Sequence, residues 1–444
     1  MKQLPPLREL ITATLPSFEK ICGDIQLPRM RKARQHFSPD SAGDVAAATR
    51  KALETSGCLA SVKPGARIAL CVGSRGLASL ADLVAATVAA IRAAGGEPFI
   101  VPSMGSHGGA TAEGQTELLA ALGVTENTCG APVVSSMETA VIGETRVMVN
   151  GTEVTFPMYL DKQALDADGI VPINRIKPHT AYRGAIESGL CKMLAIGLGK
   201  HEGAMSYHRY GFGIFPEVVP AVAKAIIEKT PVLFGVASIE NAFHQVAEVE
   251  AIPAGSILER EPALLKRAFA LMGRLYFDNL DVLIIDEVGK DHSGDGMDPN
   301  ITGSFSTPYG GKGLEAATRL VLGVSEGSHG NFVGLGLADI TTIHAFDQSD
   351  PLPTYTNCLT CRLLKQAKIP MVTPNEKIAF QAAVFHSILP TAGNPRMVRI
   401  RNTGDIAEIE ISEALWAEAE RHPQVTLAGE PFSYAFDGTG RLIR

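Results

Sequence analysis

Residues 67 to 109 read RIALCVGSRGLASLADLVAATVAAIRAAGGEPFIVPSMGSHGG. Arg67 to Val72 is an apolar run of strand length. Gly73-Ser74-Arg75-Gly76 makes a loop behind it. Leu77 to Ala94 is rich in alanine, the best helix former, and Gly95-Gly96 is a stop signal. Pro98 to Met104 is the next apolar strand, followed by the loop Gly105-Ser106-His107-Gly108-Gly109. Thr111 then opens a helix that runs to Leu122. This alternation predicts parallel strands with helices packed on both faces.

The same alternation extends outward. Asp168 to Ile173, Pro231 to Ser238 and Leu280 to Asp286 read as strands, and Phe215 to Lys229 as a helix. The helix EPALLKRAFALMGRL ends near residue 275, where a fresh strand begins, so a domain boundary is expected there. Beyond it, residues 314 to 322 read as a helix, 332 to 340 as a strand and 376 to 387 as a helix. The expectation is an α/β protein of two domains, 1–272 and 273–444. Each is a mostly parallel sheet with helices on both faces, and the active site lies in the cleft between them.

The 444 residues are 45% hydrophobic and 20% charged, enough to bury two cores. A net charge of -7 argues against nucleic acid as a partner, because phosphate contact wants a basic face. No apolar run reaches the roughly 18 residues of a membrane span, and the start lacks the apolar core of a signal peptide. The seven cysteines are scattered apart from Cys358 and Cys361, which suggests reduced, cytoplasmic usage. The oligomeric state stays open.

Ligands of parallel sheets bind beyond the carboxyl ends of the strands. Arg75, His107, Lys177, His179 and Lys290 each follow an expected strand end within six residues. A loop arginine suits a carboxylate, which its planar fork grips in a bidentate way. Pro178 stiffens the loop that presents His179. Lys192 sits inside an apolar run, where an unpaired ammonium is costly. The glycine-rich GLGKHEG (197–203) lacks the spacing of a phosphate loop, so a plain turn is favoured for Lys200 and His201. Cys358 and Cys361 have no second ligand pair, and Asp291, Asp295 and Asp298 lack the order of a calcium loop.

Taken together, these loops resemble the nickel-dependent lactate racemase family, whose members use a nickel-pincer nucleotide. The resemblance rests on Arg75 after one strand, His107 in the next glycine loop, the Pro178-His179 pair, Lys192 and His208. The last two stand sixteen residues apart, 208 against 192, as the cofactor-bearing lysine and nickel-binding histidine do in the family. The resemblance implies a racemase or epimerase of a small 2-hydroxy acid, acting by reversible hydride transfer. It implies the cofactor bound covalently to Lys192, with His208 on nickel and Ser74 and Lys177 beside the cofactor. His107 and His179 would be the two acid/base residues, and Arg75 and Lys290 would hold the substrate. Cofactor-synthesis enzymes would then be partners. Val72, Gly76 and Ser188-Gly189-Leu190-Cys191 depart from the family pattern, which implies a divergent subfamily with a different 2-hydroxy acid. Two alternatives are a metal-dependent lyase or hydrolase without the pincer, and a non-catalytic member that binds the nucleotide.

Overall fold

A computed structural model of the chain describes residues 6–73, 79–387 and 394–444. They form two compact units, one of Ser38–Met272 and one of the residues up to Phe37 with Gly273–Arg444. Residues 1–37 thus leave the N-terminal unit in which the sequence reading placed them. The reason is strand pairing. β1 (Met30–Gln35) belongs to a sheet whose other strands all follow residue 273.

The unit of Ser38–Met272 is built on β2 (Arg67–Val72), β3 (Glu97–Pro102), β4 (Thr139–Val149), β5 (Thr152–Asp161), β6 (Gly169–Arg175), β7 (Phe234–Glu240) and β8 (Val246–Pro253). Five strands make one sheet in the order β3-β2-β6-β7-β8, parallel except for the β7–β8 hairpin. β4 and β5 form a separate antiparallel ribbon. Alternation along β2 sets the layers. Ile68, Leu70 and Val72 face one core, packed under the helices Val45–Ser56, Leu80–Ala93 and Ala112–Ala121. The small Ala69 and Cys71 face the opposite layer. Thr111 caps the helix Ala112–Ala121, its Oγ1 accepting from the Gly114 amide at 3.0 Å.

The other unit continues with β9 (Leu280–Ile285), β10 (Ala316–Val321), β11 (Ile340–Thr342), β12 (Met371–Thr373), β13 (Met397–Ile400), β14 (Glu408–Ser412) and β15 (Val425–Phe432). Its eight-stranded sheet runs β12-β11-β10-β9-β13-β14-β1-β15. The five strands from β12 to β13 are mutually parallel, and β14, β1 and β15 extend the sheet antiparallel. Two local expectations fail here. Residues 314 to 322 form β10 rather than a helix, because central pairing with β9 and β11 overrides propensity. Residues 332 to 340 are mostly turns, and only Ile340 begins a strand. The helix over 376–387 is present as Glu376–Ser387. Among the described residues, no single helix is long and apolar enough to cross a membrane.

Candidate active site

β6 ends at Arg175, and the chain then makes a loop that returns to itself. The Lys177 amide donates to the Ser188 carbonyl at 2.9 Å, closing the loop at its base. Glu187, 2% exposed, organises the interior. One of its oxygens accepts from the His179 amide at 2.6 Å and the other from the Gly184 amide at 3.1 Å. Burial pushes this carboxyl up from the usual range, while the His179 and Gly184 amides and the Arg183 guanidinium pull the other way. The Arg183 guanidinium also donates to the His179 carbonyl at 2.6 Å. His179 is therefore held through both its backbone amide and its backbone carbonyl.

After this loop comes a short helix, Leu190–Lys192, that passes directly into a π turn, Met193–Gly197. Single π turns occur often at functional sites, because they shift one residue out of helical register. Several strand ends grip this segment. The Asn174 side-chain amide, at the end of β6, donates to the Gly189 carbonyl at 3.0 Å. Gly105, after β3, donates to the Gly197 carbonyl at 3.1 Å. Asp161, ending β5, donates its amide to the Leu198 carbonyl at 2.8 Å. A Cβ at Gly197 would meet the Ser103 carbonyl oxygen at 2.6 Å, so only glycine allows this approach.

The decisive contact is between two side chains. Lys192 Nζ lies 2.5 Å from His179 Nε2. The Ala181 amide donates to His179 Nδ1 at 2.9 Å, and Nε2 faces the Lys192 amine, so the ring is held between a backbone amide and a side-chain nitrogen. The neighbours of Lys192, Cys191, Met193, Leu194 and Ala195, are buried, which disfavours the ammonium form.

His208 ends the helix Lys200–His208, which meets the helical segment Phe212–Lys229 at 92°. Its Nδ1–H donates to the Ala204 carbonyl at 2.7 Å, because a carbonyl can only accept. The Nε2 lone pair is set by that bond, as in histidines that bind metals. Phe212 joins the two histidines, its ring centroid 5.7 Å from that of His179 and 5.4 Å from that of His208. Tyr182 packs at a tilt against His179, centroids 4.5 Å apart, and Phe215 meets His208 edge-on at 4.9 Å. His179, Lys192 and His208 therefore share one small neighbourhood.

His107 sits in the loop after β3, next but one to β6 across β2, and its side chain is exposed. Gln115 fixes this loop, its side-chain amide donating to the carbonyls of Gly105 at 2.9 Å and His107 at 3.3 Å. Gln115 is itself held by Lys200, whose Nζ donates to Gln115 Oε1 at 3.0 Å and pairs with Asp161 at 3.0 Å. Lys200 also bonds the Pro102 carbonyl. It is fully buried and takes a left-handed backbone at φ +51°, rare for a lysine. Burial pushes the Asp161 carboxyl up and the Lys200 amine down, each opposed by the other's charge. Lys200 is a structural clamp, whereas His201 beside it is exposed.

Ser74 and Arg75 fall at positions 74–78, outside the described residues. Lys290 belongs to the other unit, where its Nζ donates to the Gly294 carbonyl at 2.6 Å. Asp291 beside it accepts from Ser325 at 2.5 Å and Ser328 at 3.2 Å. Cys358 is buried, and the Cys361 thiol turns back on the Cys358 carbonyl within one helix. Among the described residues, no three His, Cys, Asp or Glu side chains gather as a metal site.

The sequence reading missed Glu187, Gln115, Asp161 and Glu261. Glu261 had a detectable signal. It shares a buried helical stripe with Ile257, Leu264, Leu265 and Ala268, a spacing at which a carboxylate is out of place.

No family model matches the chain, and no curated protein matches it. Among solved structures, the chain is similar to the lactate racemase apoprotein from Thermoanaerobacterium thermosaccharolyticum. The likeness covers 82% of this chain and 87% of that one, at 12% identity and a TM-score of 0.46.

Proposed function

We propose that the chain is a racemase or epimerase of a 2-hydroxy acid that works with a nickel-pincer nucleotide carried on Lys192. The observation that carries this reading is the 2.5 Å contact of Lys192 with His179, made by a lysine set among buried apolar residues. An amine without its proton is a nucleophile and accepts an acyl-type bond. The residues fit such a group in one further way. His208 directs Nδ1 to the Ala204 carbonyl, which leaves Nε2 to serve as the protein ligand to nickel.

When bound, the cofactor would supply a hydride acceptor for the substrate's α-carbon. The rest falls to this chain. His179 would take the hydroxyl proton of one enantiomer and return it, with its ring held in place by the Ala181 amide. His107 would do so for the other enantiomer. Arg75 would hold the carboxylate, and Ser74 and Lys177 would line the cofactor. The buried wall of Met193, Leu194 and Ile196 would exclude water from the reacting atoms.

The test is co-expression with cofactor-making enzymes, then nickel analysis, peptide mass mapping of Lys192 and chiral assay of 2-hydroxy acids. An adduct on Lys192, bound nickel and interconversion of enantiomers are expected. Matured protein with neither adduct nor nickel would overturn the reading. Deuterium entering the α-carbon from heavy water would refute the hydride route.

A further inference from the structure

The helical turn that carries Lys192 rests on a carboxyl group that the proposed chemistry does not use. Glu261, on the helix Ile257–Leu271, has no exposed surface. Its Oε2 accepts from the Cys191 amide at 3.0 Å, one residue before Lys192. Its Oε1 is buried and has no hydrogen-bond partner. Position 189 leaves room for that oxygen only because it is glycine, since a Cβ there would lie 2.1 Å from Oε1.

The groups facing this carboxyl come from two elements besides its own helix. The Leu190–Lys192 turn supplies the Leu190 and Cys191 amides and the Cys191 thiol. The loop between β6 and that turn supplies the Tyr182 phenol, whose ring packs at a tilt against His179. β7 packs on the same helix and presents Gly235 toward Leu190 and Ile257. Among the described residues no basic side chain faces Glu261. The charged members of its own helix turn outward, as in the ion pairs Arg260–Glu250 and Arg267–Glu248.

A buried carboxyl without a counter-cation is satisfied in neither charge state. Ionised, it holds the Cys191 amide strongly but leaves Oε1 buried without a hydrogen bond of its own. Protonated, it relieves that oxygen but weakens its hold on the amide. Burial pushes this carboxyl up to about 7, against the pull of the Cys191 and Leu190 amides. Both states are thus accessible near neutral pH.

We propose that Glu261 is a positioning residue for Lys192: its hold on the Cys191 amide sets where the lysine amine meets His179, and gain or loss of its proton resets that contact. The proposal rests on Lys192 being the reactive amine, but not on what the amine receives.

The test uses the full chain without cofactor. Trace acetylation by acetic anhydride is followed by peptide mass mapping, and labelling of Lys192 is expressed relative to Lys51, an exposed lysine on the helix Val45–Ser56. The measure is the Lys192-to-Lys51 ratio of the wild type divided by that of Glu261→Gln at the same pH, which cancels the titration of both amines and of His179. This quotient should change at least about threefold between about pH 6 and about pH 8, because only the wild type titrates at position 261. A quotient that stays constant overturns the proposal. Gly189→Ala moves the same carboxyl by steric contact and should lower the ratio about tenfold at pH 8. An unchanged ratio there also overturns it. Because the readout needs neither nickel nor turnover, its failure is distinct from failure of the racemase reading.

Discussion

Lys192 Nζ stands 2.5 Å from His179 Nε2, and the Ala181 amide holds the other ring nitrogen. This pairing gives a lysine in an apolar wall a polar partner. Removing the histidine should therefore silence the amine. His179→Ala is expected to lower acetylation of Lys192 at neutral pH about tenfold, because the amine loses the imidazole that faces it. Peptide mass mapping reads this directly. Equal labelling in the two proteins would show that His179 does not govern the amine.

His208 is bonded through Nδ1 to its own helix and packed against two phenylalanines. His208→Ala should cost only about 1–2 kcal/mol of stability, from one hydrogen bond and lost ring contacts. In matured protein the same change should remove most of the nickel. A denaturant melt and metal analysis on one sample separate the two effects. Full nickel content in the variant would remove His208 as the ligand.

Lys200 and Asp161 are a fully buried pair, each with 0% side-chain exposure. Lys200→Met leaves the buried Asp161 without its counter-cation, held only by the Gln163 and Ala164 amides, and should destabilise the fold by about 3–5 kcal/mol. Adding Asp161→Asn should recover a large part of this. The shift in the urea midpoint measures both. The single variant should also loosen the His107 loop, because Gln115 loses the partner that anchors it.

Stability should depend on pH through Glu261. Its carboxyl is raised from 4.5 to about 7 in the folded chain, so the folded state holds the proton more tightly than the unfolded one. The stabilising contribution is complete below about pH 4.5 and is lost as pH rises through about 7, up to about 3 kcal/mol in all. Asp161 and Glu187 are also raised by burial and act in the same direction. Comparison with Glu261→Gln isolates the one group. The wild type should lose more stability than the variant between these two pH values, and parallel curves would contradict the assignment.

Much of the architecture was legible in residues 67–109. Apolar runs of strand length, an alanine-rich helix and glycine stops are local signals, and they led to the parallel strands β2 and β3 as read. β10 was misread because Leu314, Glu315, Ala316, Ala317 and Leu320 favour a helix, and the stretch becomes a strand only between β9 and β11. β1 was assigned to the wrong unit because a strand carries no record of a partner some 380 residues away, as Met30 opposite Ser412 shows.

The candidate site divides in the same way. Sequence alone determined which residue types stand at strand ends: His107, Lys177, His179 and, further on, Lys192 and His208. It marked Lys192 as anomalous, because a lysine among apolar residues needs an explanation wherever it falls. Only the tertiary structure decided that His179 meets Lys192, that Phe212 joins His179 to His208, and that Lys200 is a clamp. It alone placed Glu261 under the Lys192 turn. Hydrogen-bond direction, tautomer and burial depend on distances between side chains far apart along the chain, and no local pattern of residues encodes those distances.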